Sequence, residues 1–146
     1  MIIMSKTLRF VLSGLIAVTM TVLPVAAQAW WNADWPVRAR IVLDTTPGGA
    51  AITEPVADLA LAVRLHSGNF DFLAAKPDGS DLRVLAGDDR TPLSFRVERF
   101  DPVNELAVLW VLLPTVAPGS DANVVHVYAG NAAAPAAAPA GGGDAA

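Results

Sequence analysis

The chain has no cysteine in its 146 residues. No disulfide can hold the fold, and no thiolate can serve as nucleophile or metal ligand. There are two histidines, His66 and His126. Each falls in a strand-like stretch without a second His, Cys or carboxylate at ligand spacing, whereas a metal site needs convergent ligands. A G-x-S-x-G nucleophile turn is missing. Ser67 beside His66 cannot complete a triad, because neighbouring strand residues point to opposite faces. The one glycine cluster, Gly141 to Gly143, lies in low-complexity text rather than between a strand and a helix, which excludes a phosphate loop. No cofactor motif remains, and the expectation is a non-catalytic protein without a cofactor.

Positive charge is also scarce. Two of the ten Lys and Arg, Lys6 and Arg9, precede an uncharged apolar stretch from Phe10 to Val25. Ala27-Gln28-Ala29 follows, in the A-x-A pattern of a signal peptidase site, so residues 1–29 read as a secretory signal peptide. Ser13, Gly14 and Pro24 interrupt the stretch, which is shorter than the ~20 apolar residues that span a bilayer. Beyond this leader eight Lys and Arg face fourteen Asp and Glu, a net charge of −6. A domain this acidic, with no basic run, is a poor partner for nucleic acid or an anionic membrane surface. Contact with a membrane is expected only through a neighbouring module. The expected location is outside the cytoplasm, periplasmic or extracellular.

What the chain does contain is period-two hydrophobicity, the signal of half-buried strands. Val37, Ala39, Ile41 and Leu43 alternate with Arg38, Arg40, Val42 and Asp44, and Leu61, Val63 and Leu65 with Ala62, Arg64 and His66. Leu82 to Leu85 is a short candidate, and Leu93, Phe95 and Val97 alternate with Ser94, Arg96 and Glu98. Leu106 to Leu113 is apolar at almost every position, which predicts a strand covered on both faces. Asn123 to Tyr128 is the last. Turn signals lie between them at Pro47-Gly48-Gly49, Asp78-Gly79, Gly87-Asp88-Asp89, Asp101-Pro102 and Pro118-Gly119. This pattern predicts an all-β domain over residues 30–131, an antiparallel, jelly-roll-like β-sandwich. Its expected core includes Ile41, Val63, Leu65, Phe95, Val97, Val108, Trp110 and Val127. Only Phe70 to Lys76 hints at helix, a turn or two. From Ala132 the text AAAPAAAPAGGGDAA has no large apolar residue, and residues 132–146 read as a disordered linker.

Two clusters are candidates for function. Three of the four tryptophans, Trp30, Trp31 and Trp35, stand within six residues just after the leader. They can form a platform on which sugar rings stack, or rest at a membrane interface. Alternatively they close one end of the sandwich and pin the terminus, the reading their place at a strand entrance favours. The second cluster is Asp78 and Asp81, flanking Gly79. Carboxylates at a turn can hold calcium, but the spacing of an EF-hand loop is missing, and the bland reading is a capped turn. The same pair as glycosidase carboxylates is a more distant alternative.

Taken in order, WWNADWPVRARIVL, VADLALAVRLHSGNFDF, AAKPDGSDLRV, LSFRVERFDP, ELAVLWVLLP and VYAGNAA resemble the bacterial domain of unknown function family numbered 2341. HSGNFDF, KPDGSDLR and the W-V-x-x-P of Trp110 to Pro114 are the most specific pieces. Val84 and Ala129 stand where the family tends to have Phe and Tyr. The resemblance implies a sandwich-like extracytoplasmic module without assigned activity. It also implies a setting, at the exported end of MotA/TolQ/ExbB-type proton-channel proteins or beside concanavalin A-like lectin domains. The expected function is therefore that of an exported accessory module contacting an envelope protein, with a carbohydrate-binding module as the alternative and a glycoside hydrolase as a distant third.

Overall fold

A computed structural model describes residues 31–136. The leader, Trp30 and residues 137–146 of the Ala/Pro/Gly segment lie outside this range. The described residues are all-β, with strands β1 (Val37–Leu43), β2 (Val56–His66), β3 (Arg83–Ala86), β4 (Phe95–Asp101), β5 (Leu106–Val116) and β6 (Asn123–Ala129). They form two three-stranded antiparallel sheets in the orders β1-β6-β3 and β2-β5-β4. Six strands in these orders fall short, among the described residues, of the eight of a jelly roll. The expected turns fall between strands, except that Asp101 of Asp101-Pro102 is the last residue of β4. Phe70 to Lys76, which hints at a helical turn or two, forms a non-helical turn instead. There Asp71 Oδ1 accepts from the N–H groups of Leu73 (3.0 Å) and Ala74 (3.3 Å), a side-chain bond that competes with helical pairing.

Alternation puts one face of each sheet into a shared core. Ala39 of β1, Val84 of β3 and Val125 and Val127 of β6 pack with Val63 and Leu65 of β2 and with Ala107, Leu109, Val111 and Leu113 of β5. The turn segment adds Phe70, Phe72 and Leu82, which close one side. Phe70 and Phe72 meet edge to face at 4.9 Å, and Phe72 lies 5.6 Å from Phe100. Gly79 sits at φ +68° under Phe100, where a Cβ would lie 2.9 Å from the ring. Both the turn and the close approach therefore require glycine. In β2, Ala57 pairs with Thr115 and Leu59 with Leu113, so Asp58 (φ +52°) stands opposite Pro114. The ladder lapses there because proline has no N–H to donate.

Of the expected core residues, Val63, Leu65 and Val127 are buried, and Ile41 and Phe95 pack half-buried against the core. Three expectations are corrected. Val108 and Trp110 belong to the outer face of β5, the inward set being Ala107, Leu109, Val111 and Leu113. Trp110 keeps 37% of its surface exposed and Leu112 43%, so β5 is not covered on both faces among the described residues. A strand apolar at every position carries no phase of its own, and cross-strand register chooses the inward set. Val97 pairs with Leu109 on edge strand β4 beside a bulge, and remains 37% exposed.

Candidate functional site

The two sheets treat their outer faces differently. Outside β1-β6-β3, Trp35 (8% exposed), Leu85 and Tyr128 form a second apolar cluster with Ala134, and Trp31 packs against it half-buried. The Trp31 ring lies 5.0 Å from Trp35 and 5.5 Å from Tyr128, tilted by 56° and 55°. Trp35 Nε1 donates to Asp81 O at 2.8 Å, and the Arg83 guanidinium lies over the Trp35 ring at 5.4 Å. The tryptophans therefore cover the outside of a sheet rather than close an end of the sandwich. Trp31 and Trp35 are neither coplanar nor jointly exposed, and Trp30 lies outside the described residues.

The start of the Ala/Pro segment belongs to this cover. Ala134 is 5% exposed, its carbonyl accepts from Lys76 Nζ at 2.6 Å, and Pro135 O accepts from Arg83 Nη2 at 2.7 Å. Where a tether was expected from Ala132 onward, residues 131–135 form a docked turn. The placement of the aspartates explains why. Asp81 is fully buried, and its carboxylate accepts from Lys76 N (3.1 Å) and Gly130 N (2.7 Å), joining the turn before β3 to the end of β6. Asp78 is exposed and accepts from Ser80 N at 3.0 Å, a bond that holds its carboxyl below the usual range. One carboxylate is a buried clasp and the other a turn cap. Among the described residues, no three His, Cys, Asp or Glu converge as metal ligands.

Beneath the tryptophans lies a polar network. Arg38 Nε donates to His126 Nδ1 at 3.0 Å, and Arg38 pairs with Asp89 at 3.4 Å. The Tyr128 hydroxyl donates to Asp89 (2.7 Å) and accepts from Trp31 N (3.4 Å). Burial, then the Arg38 charge, lowers His126 from its ordinary 6.5, so the imidazole stays neutral and can accept from arginine. Burial and the Asp89 bond raise the Tyr128 phenol. His66, by contrast, is exposed at the end of β2, with Nδ1 accepting from Gly68 N at 3.1 Å.

The outer face of β2-β5-β4 has no such cover among the described residues. Across it run register rows that share one side of the sheet. Ala62, Trp110 and Arg96 form one row, with Arg64, Val108 and Arg99 in the next. The β4 bulge inserts Glu98, whose Oε2 accepts from Trp110 Nε1 at 2.7 Å and lies 3.3 Å from Arg96 Nη2. Arg99 pairs with Asp101 at 2.7 Å. Asp101 is held near 2, first by the Asn104 side chain and then by Arg99. Ala60, Ser94, Arg96, Trp110 and Leu112 line a shallow depression of about 160 Å³. Two larger depressions lie at the ends of the sheets. One, about 450 Å³, is apolar between Pro47, Ile52 and Pro118; the other, about 510 Å³, is polar, lined by Ser67, Asn69 and Asp71 of the HSGNFDF segment with Glu105.

This face is not legible in the sequence, where Trp110 reads as inward-facing. The available signal was the unbroken apolar run of β5 opposite a β4 carrying Arg96, Glu98 and Arg99. An apolar strand face can be covered or offered, and the polar partner strand marks which.

Fold and surface together define an all-β domain with, among the described residues, one outer face closed by its own chain and one open. Residues 78–144, somewhat under half of the chain, match the family described as Domain of unknown function (DUF2341). The match spans β3 to β6, with the Asp81 clasp, Glu98 and Trp110. No curated protein and no solved structure matches the chain. Among the described residues no helix is long and apolar enough to cross a membrane.

Proposed function

We propose that this is a non-catalytic binding module of an exported protein, which works by surface contact through the outer face of β2-β5-β4. One observation carries the reading. Trp110 and Leu112 stand 37% and 43% exposed at the centre of a sheet, on the strand with partners on both sides. Water-facing Trp and Leu at a sheet centre, rimmed by Arg and carboxylate, have the composition of a contact site. Export rests on the Lys6-to-Ala29 leader pattern, and the sandwich architecture on the core the two sheets share. Attachment to a proton-channel or lectin neighbour is what the family resemblance implies; channel helices or a lectin domain in the same reading frame would support it.

The test is sedimentation of the processed chain with isolated cell envelopes, compared with Ala62→Glu. Ala62 is exposed in the Trp110 row, so the substitution blocks the face without touching the core. The expected result is binding by the wild type and loss in the variant at unchanged melting temperature. Equal binding by both would remove this face as the site. Turnover of ester, peptide or glycoside substrates by the wild type would overturn the non-catalytic reading.

A further inference from the structure

We infer that the occupant of the β2-β5-β4 face is a carboxylated polysaccharide, a chain of pyranose rings bearing uronate groups, with Trp110 as the stacking ring and Arg64 as the carboxylate-binding group. The inference rests on the reading of that face as the contact surface and names what it contacts.

The geometry around Trp110 favours a flat ring. Its only hydrogen-bond donor is already given to Glu98 at 2.7 Å, so the indole is fixed in orientation and what it has left to offer is its apolar surface. Across the strand its register partner is Ala62, a single methyl group, and Ala60 lies opposite Leu112. These small neighbours leave the indole unwalled on the β2 side. The depression beside it, about 160 Å³, is below the ~300 Å³ at which drug-sized pockets begin. A sugar ring fits this setting. Its C–H face stacks on an aromatic surface, and its hydroxyl edge meets planar charged groups such as the Arg96–Glu98 pair.

The apolar strip is also narrow. Arg96 borders Trp110 in its own row, and Arg64 and Arg99 flank Val108 in the next. A stable protein interface has a desolvated core depleted of charge. Here charge stands at the first position beyond the aromatic ring.

Charge selects the kind of sugar. The domain beyond the leader carries −6, whereas this face sets Arg64, Arg96 and Arg99 against Glu98 and Asp101, a local excess of one positive charge. Glu98 and Asp101 pair with Arg96 and Arg99, and Arg64 is exposed without an ion pair among the described residues. Adjacent rows lie two residues apart along a strand, ~7 Å, so a ring on Trp110 places its carboxylate, or that of its neighbour in the chain, within reach of a guanidinium. Guanidinium is the group whose fork matches a carboxylate.

The test is affinity electrophoresis of the processed chain in gels containing polygalacturonate, with dextran as the neutral control. The expected result is retardation by polygalacturonate alone, weakened by salt. Trp110→Ala should weaken it about tenfold, and Arg64→Gln about threefold. Retardation by dextran as strong as by polygalacturonate, or full retention of binding in folded Trp110→Ala, would overturn the inference. Arg64→Gln alters an exposed side chain and decides the matter if Trp110→Ala does not fold; unchanged binding there counts against the inference. Failure here is distinct from failure of the underlying reading. If envelopes retain the wild type and not Ala62→Glu, but polygalacturonate retards neither, the face stands and the carboxylated polysaccharide falls as its occupant. If Ala62→Glu sediments like the wild type, the face itself falls.

Discussion

Both sheets of this domain carry aromatic residues on their outer faces, but among the described residues only one covers them. On β1-β6-β3, Tyr128 is fully buried beneath Trp31, Trp35 and Ala134, residues that come from just before β1 and just after β6. On β2-β5-β4, Trp110 occupies the comparable central-strand position and remains 37% exposed. The first face holds its charge in a closed network of Arg38, His126, Asp89 and Tyr128, the second in Arg–carboxylate pairs open to solvent. The same kind of residue thus serves stability where neighbouring segments fold over it, and stays open to solvent where, among the described residues, none does.

The sharpest way to break this comparison is to truncate the two tryptophans. Trp35→Ala removes a buried ring and should cost about 3–5 kcal/mol. Trp110→Ala should cost about 1 kcal/mol, because the ring is partly hydrated already. Chemical denaturation of both variants measures the difference, and equal losses would erase the distinction between the faces. Next in size, Asp81→Ala strands the N–H groups of Lys76 and Gly130 and should cost about 2–4 kcal/mol, again by denaturation. Ending the chain at Gly130 rather than Ala136 removes the docked turn and should lower the melting temperature by several degrees, about 1 kcal/mol in a domain of this size. A melting temperature equal to that of the longer chain would restore the reading of a tether from residue 132.

The smallest effect sharpens the comparison through pH. His126 has a folded value below its ordinary 6.5, so the unfolded chain binds the extra proton first. The stability it contributes is complete above 6.5 and is lost as pH falls below it. The melting temperature should decline gently there, and His126→Gln, which can still accept from Arg38 but cannot titrate, should flatten the decline. On the open face, Asp101 is held near 2, so its contribution persists until pH falls below about 3.8 and through 2. An identical decline in His126→Gln would place the acid sensitivity outside the closed network.

Much of the fold was legible because period-two alternation is written residue by residue. β1 is legible with its inward set, Val37, Ala39, Ile41 and Leu43, its alternation running one residue, Asp44, past the strand. Five residues at the start of β2 escaped, since Val56 to Ala60 is broken in pattern by Asp58 opposite Pro114. Phe70 to Lys76 read as helical because its apolar spacing permits helix, while the Asp71 side chain closes turns instead. The candidate site was far less legible. Trp31 and Trp35 stand out by clustering and read as packing rings in preference to a sugar platform; they do pack, but on the outer face of a sheet and not at an end of the sandwich. Trp110 reads as core because its strand is apolar on both sides, and in sequence the arginines of β4 and β2 are only the polar half of an alternation.

By itself the sequence determined the strands, their turns and the absence of thiol chemistry, because alternation, turn residues and residue types are properties of neighbours along the chain. Which outer face is closed was decided only in three dimensions. It depends on Asp81 reaching Gly130, 49 positions away, on Lys76 reaching Ala134, and on register, which set Trp110 outward and Leu109 inward. Such pairings join residues with no local signal between them, and their energy exists only once both sheets have formed.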